Sequence, residues 1–422
     1  MKITKIHVKN YKSFKDETIE FDTLNILIGA NASGKSNTIS LFRFINQIIE
    51  YGIENAISLS GGIEYVLNTN IGKKEPLSLS FSYDCLEKNW KKSLGGKNNN
   101  IVLAGYDYSF EITPHKRGSG FTITKDSIVF KYCQIINDNN DSSIEIDKQK
   151  CYYEEYKRTN RKIVGTTVNK TDYVESQKNK DNINSSFIVD YLNNARTKKN
   201  ELLLHFISLF LPLHFHYNDE LVRIYDFDPK LMKKSASLTS ISRLEEDGSN
   251  LANILQGLLK NNQNKNKLIN YLNDSLPFVK SISTERNFDK SVSYKIKESY
   301  SKKELYANFL SDGTVSMLAI IIALNFERSL GTIILEEPER NLHPALMSRV
   351  IEMAKETSSK RQIIITTHTP ELIKYADEDS ILFASRCSEG YTCIKKPIND
   401  EEVKTFLQNE IGIDKLFAQN MI

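Results

Sequence analysis

Gly29-Ala30-Asn31-Ala32-Ser33-Gly34-Lys35-Ser36 matches the pattern G-x-x-x-x-G-K-[ST] at every fixed position. Glycines in such a loop let backbone N–H groups turn inward around an anion. Lys35 adds a point charge suited to β- and γ-phosphates, and Ser36 adds a hydroxyl suited to Mg2+. The start of the following helix contributes its partial positive charge. The setting agrees with the motif. Leu24–Ile28 is a short apolar run that reads as a buried strand, and from Ser36 to Glu50 the apolar residues Ile39, Phe42, Ile45 and Ile49 recur at helical spacing. An accidental glycine-rich turn would not require both neighbours.

A second element answers the first from the far end of the chain. Thr332-Ile333-Ile334-Leu335-Glu336-Glu337-Pro338-Glu339 reads as a buried strand ending in adjacent carboxylates. Charged strand ends are usually solvated caps, but beside a phosphate loop the pair suits nucleotide chemistry. Glu336 is placed to hold the metal through its water, and Glu337 to orient or deprotonate an attacking water.

Leu310-Ser311-Asp312-Gly313-Thr314 opens a helix shortly before that strand. Ser311 or Asp312 capping a core helix explains it, and so does a second anion-binding nest. The pattern does not separate the two. Downstream, Ile363-Ile364-Ile365-Thr366-Thr367-His368 is a strand ending in a histidine.

In this order the motifs resemble the ABC-type AAA ATPases of the OLD, RecF and SMC kind. The resemblance includes Lys9–Phe14, the loop Gly29–Asn37, Asp247–Leu251, Leu310–Thr314, Thr332–Glu339, Asn341–Pro344 and Thr366–Leu372. It implies an α/β fold in which a split P-loop head is built from both termini around a mixed β and helical insertion. It implies ATP and Mg2+ as ligands, held by Gly29, Asn31, Ala32, Ser33, Gly34, Lys35, Ser36, Asn37 and Lys12, with Ser36 and Glu336 on the metal. Lys35, Glu337 and the switch residue His368 would serve hydrolysis. Ser311 and Gly313 would grip the γ-phosphate bound by a second copy, and Asn341–Pro344 would form a loop across that homodimer. No lid glutamine stands out, since Gln47 lies within the first helix.

The rest of the chain sets bounds. With 422 residues, 40% hydrophobic, 26% charged and a net charge of +3, it suits an ordinary globular protein and neither demands nor excludes nucleic acid. No run reaches the roughly 18 apolar residues of a membrane span, and the N-terminus lacks an export signal, so a cytoplasmic protein is expected. Five cysteines without C-x-x-C spacing predict reduced thiols rather than a disulfide framework. The expected divisions are 1–84, the first part of the head; 85–184, an antiparallel β insertion; 185–300, a helical lid; and 301–422, the second part of the head.

The short stretch after His368 leaves no room for the TOPRIM nuclease of the larger OLD enzymes, and Asp377-Glu378-Asp379 reads as a solvated turn. His214-Phe215-His216 lacks further ligands nearby and reads as a strand. Basic stretches at 157–162, 198–199, 233–234 and 302–303 suit either solvated faces or a DNA surface. Stand-alone heads of this kind imply an ATP-gated dimer, or a higher oligomer, sensing infection for a separately encoded effector in bacterial defence. A RecF-like repair ATPase and a scaffold with negligible hydrolysis are the alternatives.

Overall fold

A computed structural model describes residues 2–84, 91–92, 101–138, 144–159, 162–169, 201–206, 221–239, 243–327 and 331–396. Its strands are β1 (Lys2–Tyr11), β2 (Phe14–Glu20), β3 (Leu24–Ile28), β4 (Leu77–Asp84), β5 (Lys91–Lys92), β6 (Ile101–Pro114), β7 (Phe121–Asp138), β8 (Ile144–Thr159), β9 (Lys162–Asn169), β10 (Val222–Tyr225), β11 (Ala236–Ser237), β12 (Val279–Arg286), β13 (Ser291–Glu298), β14 (Leu305–Tyr306), β15 (Thr332–Glu336), β16 (Ile363–Thr367), β17 (Ile381–Arg386) and β18 (Thr392–Lys395). The helices are α1 (Lys35–Tyr51), α2 (Ile53–Leu59), α3 (Ile63–Val66), α4 (Pro229–Met232), α5 (Leu251–Leu259), α6 (Asn262–Ser275), α7 (Asp312–Asn325) and α8 (Pro344–Ser358). They form two units, one of residues 1–22, 36–221 and 385–394, the other of residues 23–35, 222–384 and 395–422.

The first unit is organised by an antiparallel sheet in the order β2-β1-β4-β6-β7-β8-β9, with β5 on β6. Its inner face follows from strict alternation. Leu77, Leu79, Phe81 and Tyr83 of β4 are buried while the residues between them are not. Tyr106, Tyr108 and Phe110 of β6 and Ile128, Phe130 and Tyr132 of β7 continue that face, and Tyr83 stacks on Tyr106 with ring centroids 5.2 Å apart. The α1 helix buries Ile39, Phe42, Ile45 and Ile48. The 84/85 division expected from sequence falls inside this sheet, since β4 pairs with β6.

Phe121–Thr124 and Ser127–Cys133 belong to one strand, β7. Lys125 and Asp126 continue it because the Asp126 carboxylate, 2% exposed, is paired rather than solvated.

The cysteine expectation is corrected. Cys133 and Cys151 lie opposite each other in β7 and β8 and form a disulfide, and Cys387 and Cys393 form another within the β17–β18 hairpin segment. Both pairings depend on strand register, which spacing along the chain does not display.

The second unit carries a sheet in the order β10-β15-β16-β3-β17-β18, parallel from β10 through β17. The strand β3, from near the N-terminus, lies between β16 and β17, so the head is split as the motif order implied. Ile26, Ile333, Ile334, Ile364 and Ile365 are buried, as befits a sheet covered on both faces. The α7 helix is buried from Thr314 through Leu324, making it a core helix rather than an amphipathic one.

The stretch expected to be a helical lid holds α5 and α6, but also a small sheet of order β11-β13-β12 with β14 on β13. Val279–Arg286 and Ser291–Glu298 alternate and turn through Lys290 at φ +61°. Residues 201–206, within the same expected lid, hold a short 3-10 turn at Leu203–Phe206. His214-Phe215-His216 and Lys198–Lys199 lie outside the described residues. Asp377 pairs with Lys355 at 2.9 Å and caps a 3-10 turn. Among the described residues no helix is long and apolar enough to cross a membrane.

Candidate nucleotide site

The loop after β3 has a backbone that side chains would obstruct. Ala32 and Gly34 take φ +63° and +116°. A Cβ on Gly29 would stand 2.4 Å from the carbonyl oxygen of Ala384 and 2.4 Å from Ser33 Oγ, so only glycine fits between the loop and β17. Lys35 is buried, and its ammonium donates to the carbonyls of Gly29 at 2.6 Å and Ala30 at 3.0 Å. Burial pulls the Lys35 pKa down, opposed by the carboxylates of Glu337, Glu339 and Glu336. Lys35 therefore faces the acidic strand end within one unit. Asn31, Ala32 and Ser36 are exposed, and Ser33 and Gly34 are buried.

Glu336 closes β15 half-buried, opposite Thr366 of β16. Glu337 follows at φ +44°, with its N–H on the Thr366 carbonyl at 2.9 Å. Arg340 Nη2 donates to Glu337 Oε2 at 2.9 Å, and His368 Nδ1 lies 3.3 Å from Oε1. Burial pushes the Glu337 carboxyl up. The Arg340 hydrogen bond and the charges of His368 and Arg340 outweigh that and hold it below the usual carboxylate range.

Glu339 is 5% exposed and accepts from the hydroxyl of Thr367, with Oε2 buried and unbonded. Burial raises its pKa, and the Thr367 bond opposes. His368 Nδ1 is 3.9 Å from its Oε1.

Ser311 caps α7, its Oγ accepting from the Thr314 N–H at 3.1 Å, so the capping reading holds. Ser311 is nevertheless exposed, and Gly313 only half-buried, at the helix start. A Cβ on Gly313 would come 2.8 Å from the Asn341 carbonyl oxygen, so the helix start is fitted against the 341–344 loop. Asn341 takes φ +68°, and His343 caps α8 by accepting from Ala345 N–H at 3.2 Å. Asp312 is ion-paired to Lys233.

Thus one unit brings together Gly29, Lys35, Glu336, Glu337 and His368. Lys12 and Asn37 belong to the other unit. There Asn37 Nδ2 donates to Ser13 Oγ at 2.7 Å. Lys12 has φ +44° and a pKa lowered by burial and by Arg43.

Sequence reading assigned no part to Thr367, Glu339, Arg340 or Asp226. The first three flank recognised motifs, which was their only signal. Asp226 follows β10, whose place next to β15 no local pattern reveals.

The donors suit a nucleotide and its cation. The loop is held to glycine at Gly29 by the backbone of β17, and Ser36 and Glu336 are hard oxygen donors of the kind Mg2+ takes alongside phosphates and waters. Among the described residues no three His, Cys, Asp or Glu side chains cluster as a metal cage.

A mainly parallel sheet assembled from distant parts of the chain, with a P-loop and an acidic strand end, is the fold of an AAA-type P-loop head. The chain belongs to the family described as "AAA domain, putative AbiEii toxin, Type IV TA system", which matches residues 24–374. It is 27% identical over 147 residues to an uncharacterised protein of Methanocaldococcus jannaschii, covering 32% of this chain and 38% of that one. The match therefore spans well under half of that relative. An SMC head solved with the C-winged helix domain of ScpA superposes with a TM-score of 0.53 at 13% identity, over 94% of this chain and 98% of the other. A second SMC head, solved with a ScpA domain derived from Pyrococcus furiosus, gives 0.47 at 13% identity over 96% and 99%.

Proposed function

We propose that two copies of this chain close on MgATP and reopen after hydrolysing it. The convergence of Lys35, Glu336, Glu337 and His368 at one end of a parallel sheet carries this reading, the place where such sheets bind ligands. The nucleotide phosphates replace the Gly29 and Ala30 carbonyls as partners of the Lys35 ammonium. The loop N–H groups that follow Gly29 take the phosphate charge. Ser36 and Glu336 would hold the cation, which would supply positive charge to the phosphates.

Glu337 accepts a proton from water as the oxygen bonds to the γ-phosphorus and the bond to ADP breaks. His368 contacts the γ-phosphate. The exposed Ser311 and the adjacent Gly313 of the second copy complete the cage, and the 341–344 loop runs beside them. ATP favours the closed dimer because only that state makes both sets of contacts.

The test is mass measurement of the Glu337→Gln protein with and without ATP, alongside steady-state turnover. A stable ATP-dependent dimer that does not turn over supports the reading. Turnover and mass both unchanged from wild type would show a scaffold instead.

The family's toxin–antitoxin description supports a defence role over DNA repair. In that role the dimer acts in the cytoplasm, where ATP is supplied, and holds or releases a separately encoded effector. Co-purification with a neighbouring gene product, released on ATP addition, tests this. ATP-stimulated duplex binding with no such partner would favour repair.

A further inference from the structure

The Glu337 carboxylate has both oxygens engaged, and the more closely held one is gripped by a residue outside the recognised motifs. Glu337-Pro338-Glu339-Arg340 is a turn closed by the Arg340 N–H on the Glu337 carbonyl at 3.0 Å. Over it the Arg340 guanidinium folds back to Glu337 Oε2 at 2.9 Å, while Nη1 reaches Asp226 Oδ1 at 3.2 Å. Asp226 is the residue immediately after β10, the strand parallel to β15 in the same sheet, and its own N–H is fixed on the Glu246 carbonyl at 2.9 Å. The guanidinium is thus stretched between two carboxylates with fixed backbones.

A planar fork suits that task, because its donors leave in set directions. Glu337 needs such a partner. Its φ of +44° lies in the left-handed region that non-glycine residues seldom adopt, so its side-chain direction is set by its contacts. On the other side His368 Nδ1 lies farther off, at 3.3 Å.

We propose that Arg340, anchored by Asp226, is a positioning residue that fixes the plane of the Glu337 carboxylate toward the water it activates. This rests on the ATPase reading. Arg340 acts through Glu337 and needs no contact with ATP. The pairs are partly exposed, so they add little to stability, and their effect is on orientation, where a displacement of about 1 Å can cost about 100-fold in rate.

Steady-state ATP turnover is measured for wild type, Glu337→Gln, Arg340→Ala, Arg340→Lys, Asp226→Asn and the Arg340→Ala/Asp226→Asn double variant, with thermal unfolding of each. Arg340→Ala should lower kcat about 10- to 100-fold with KM and melting temperature nearly unchanged. Arg340→Lys should restore part of the rate. Asp226→Asn should lower kcat less, and the double variant should be no slower than Arg340→Ala, because the anchor matters only through the arginine.

An Arg340→Ala kcat equal to wild type, a loss expressed in KM, or a double variant slowed by the product of the two single effects would overturn the proposal. Absence of ATP turnover in the wild type would remove the ATPase reading itself, and wild-type turnover that Glu337→Gln leaves intact would remove Glu337 as the group that activates water and this inference with it. Turnover lost in Glu337→Gln but unaffected in Arg340→Ala removes the inference alone.

Discussion

Replacing Arg158 by methionine should destabilise the unit built on the antiparallel sheet, and by an amount that depends on pH. Arg158 Nε donates to Asp126 Oδ2 at 3.2 Å, with the aspartate side chain fully buried. The Tyr108 hydroxyl donates to Oδ1 at 2.9 Å, and the Leu203 N–H reaches both oxygens at 3.0 and 3.2 Å. Burial pushes the Asp126 carboxyl from its ordinary 3.8 up to about 6, against the opposing charge of Arg158 and the Leu203 N–H.

The folded state therefore binds this proton more tightly than the unfolded one. The stability it confers is fully present below the unfolded value and is lost as pH rises to about 6. At about 1.4 kcal/mol per pH unit that loss totals about 3 kcal/mol, after which the wild type levels off. Without the guanidinium the folded carboxyl moves higher still, and the decline continues. Between about pH 6 and pH 8 the continued slope adds up to about 3 kcal/mol.

Urea unfolding at about pH 5 and about pH 8, with hydrogen exchange at the Leu203 amide as a local probe, measures it. The substitution should cost about 1 kcal/mol or less at the lower pH, from lost packing of the arginine stem, and about 3 kcal/mol more at the higher. Equal destabilisation at both values would refute the reasoning, since it would mean that Asp126 keeps the same charge throughout.

Three further outcomes follow from contacts at the nucleotide site. Gly29→Ala should abolish ATP binding in equilibrium titration, because the added methyl meets the backbone oxygen of Ala384 at 2.4 Å and the loop must move. Ser311→Ala should lower thermal stability by about 1 kcal/mol through loss of the α7 cap. It should also abolish ATP-dependent dimers in mass measurement while leaving monomer affinity for ATP unchanged. Thr367→Val should cost about 1–3 kcal/mol by stripping the hydroxyl from the buried Glu339 carboxylate. Because burial raises that carboxyl, the cost in unfolding experiments should shrink as the solution is acidified.

The parts of the fold that local pattern could reveal were those with strict periodicity. Leu251–Leu259, Leu24–Ile28 and the ends of β15 and β16 follow directly from apolar runs and their flanking turns. The twofold use of Ser311 was ambiguous in sequence because a cap and an anion nest use the same atoms, and the structure shows the cap together with an exposed hydroxyl. What stayed hidden depended on contacts between distant residues. Lys125 and Asp126 looked like an interruption in β7 because a charge in a strand is unfavourable until Arg158 is known to face it. The Cys133–Cys151 pair was invisible for the same reason, being set by register across β7 and β8. Asp226 gave no signal because its value lies in the neighbouring strand.

The position of β3 between β16 and β17 bears on how the chain is made. A ribosome releases the phosphate loop long before the two strands that flank its supporting strand. Until then Leu24–Ile28 has no sheet to join, and its apolar side chains must be shielded in some other way. Sheets closed over so long a loop form slowly, so nucleotide binding should appear only once β16 and β17 have emerged, and a chain cut before β16 should lack it completely.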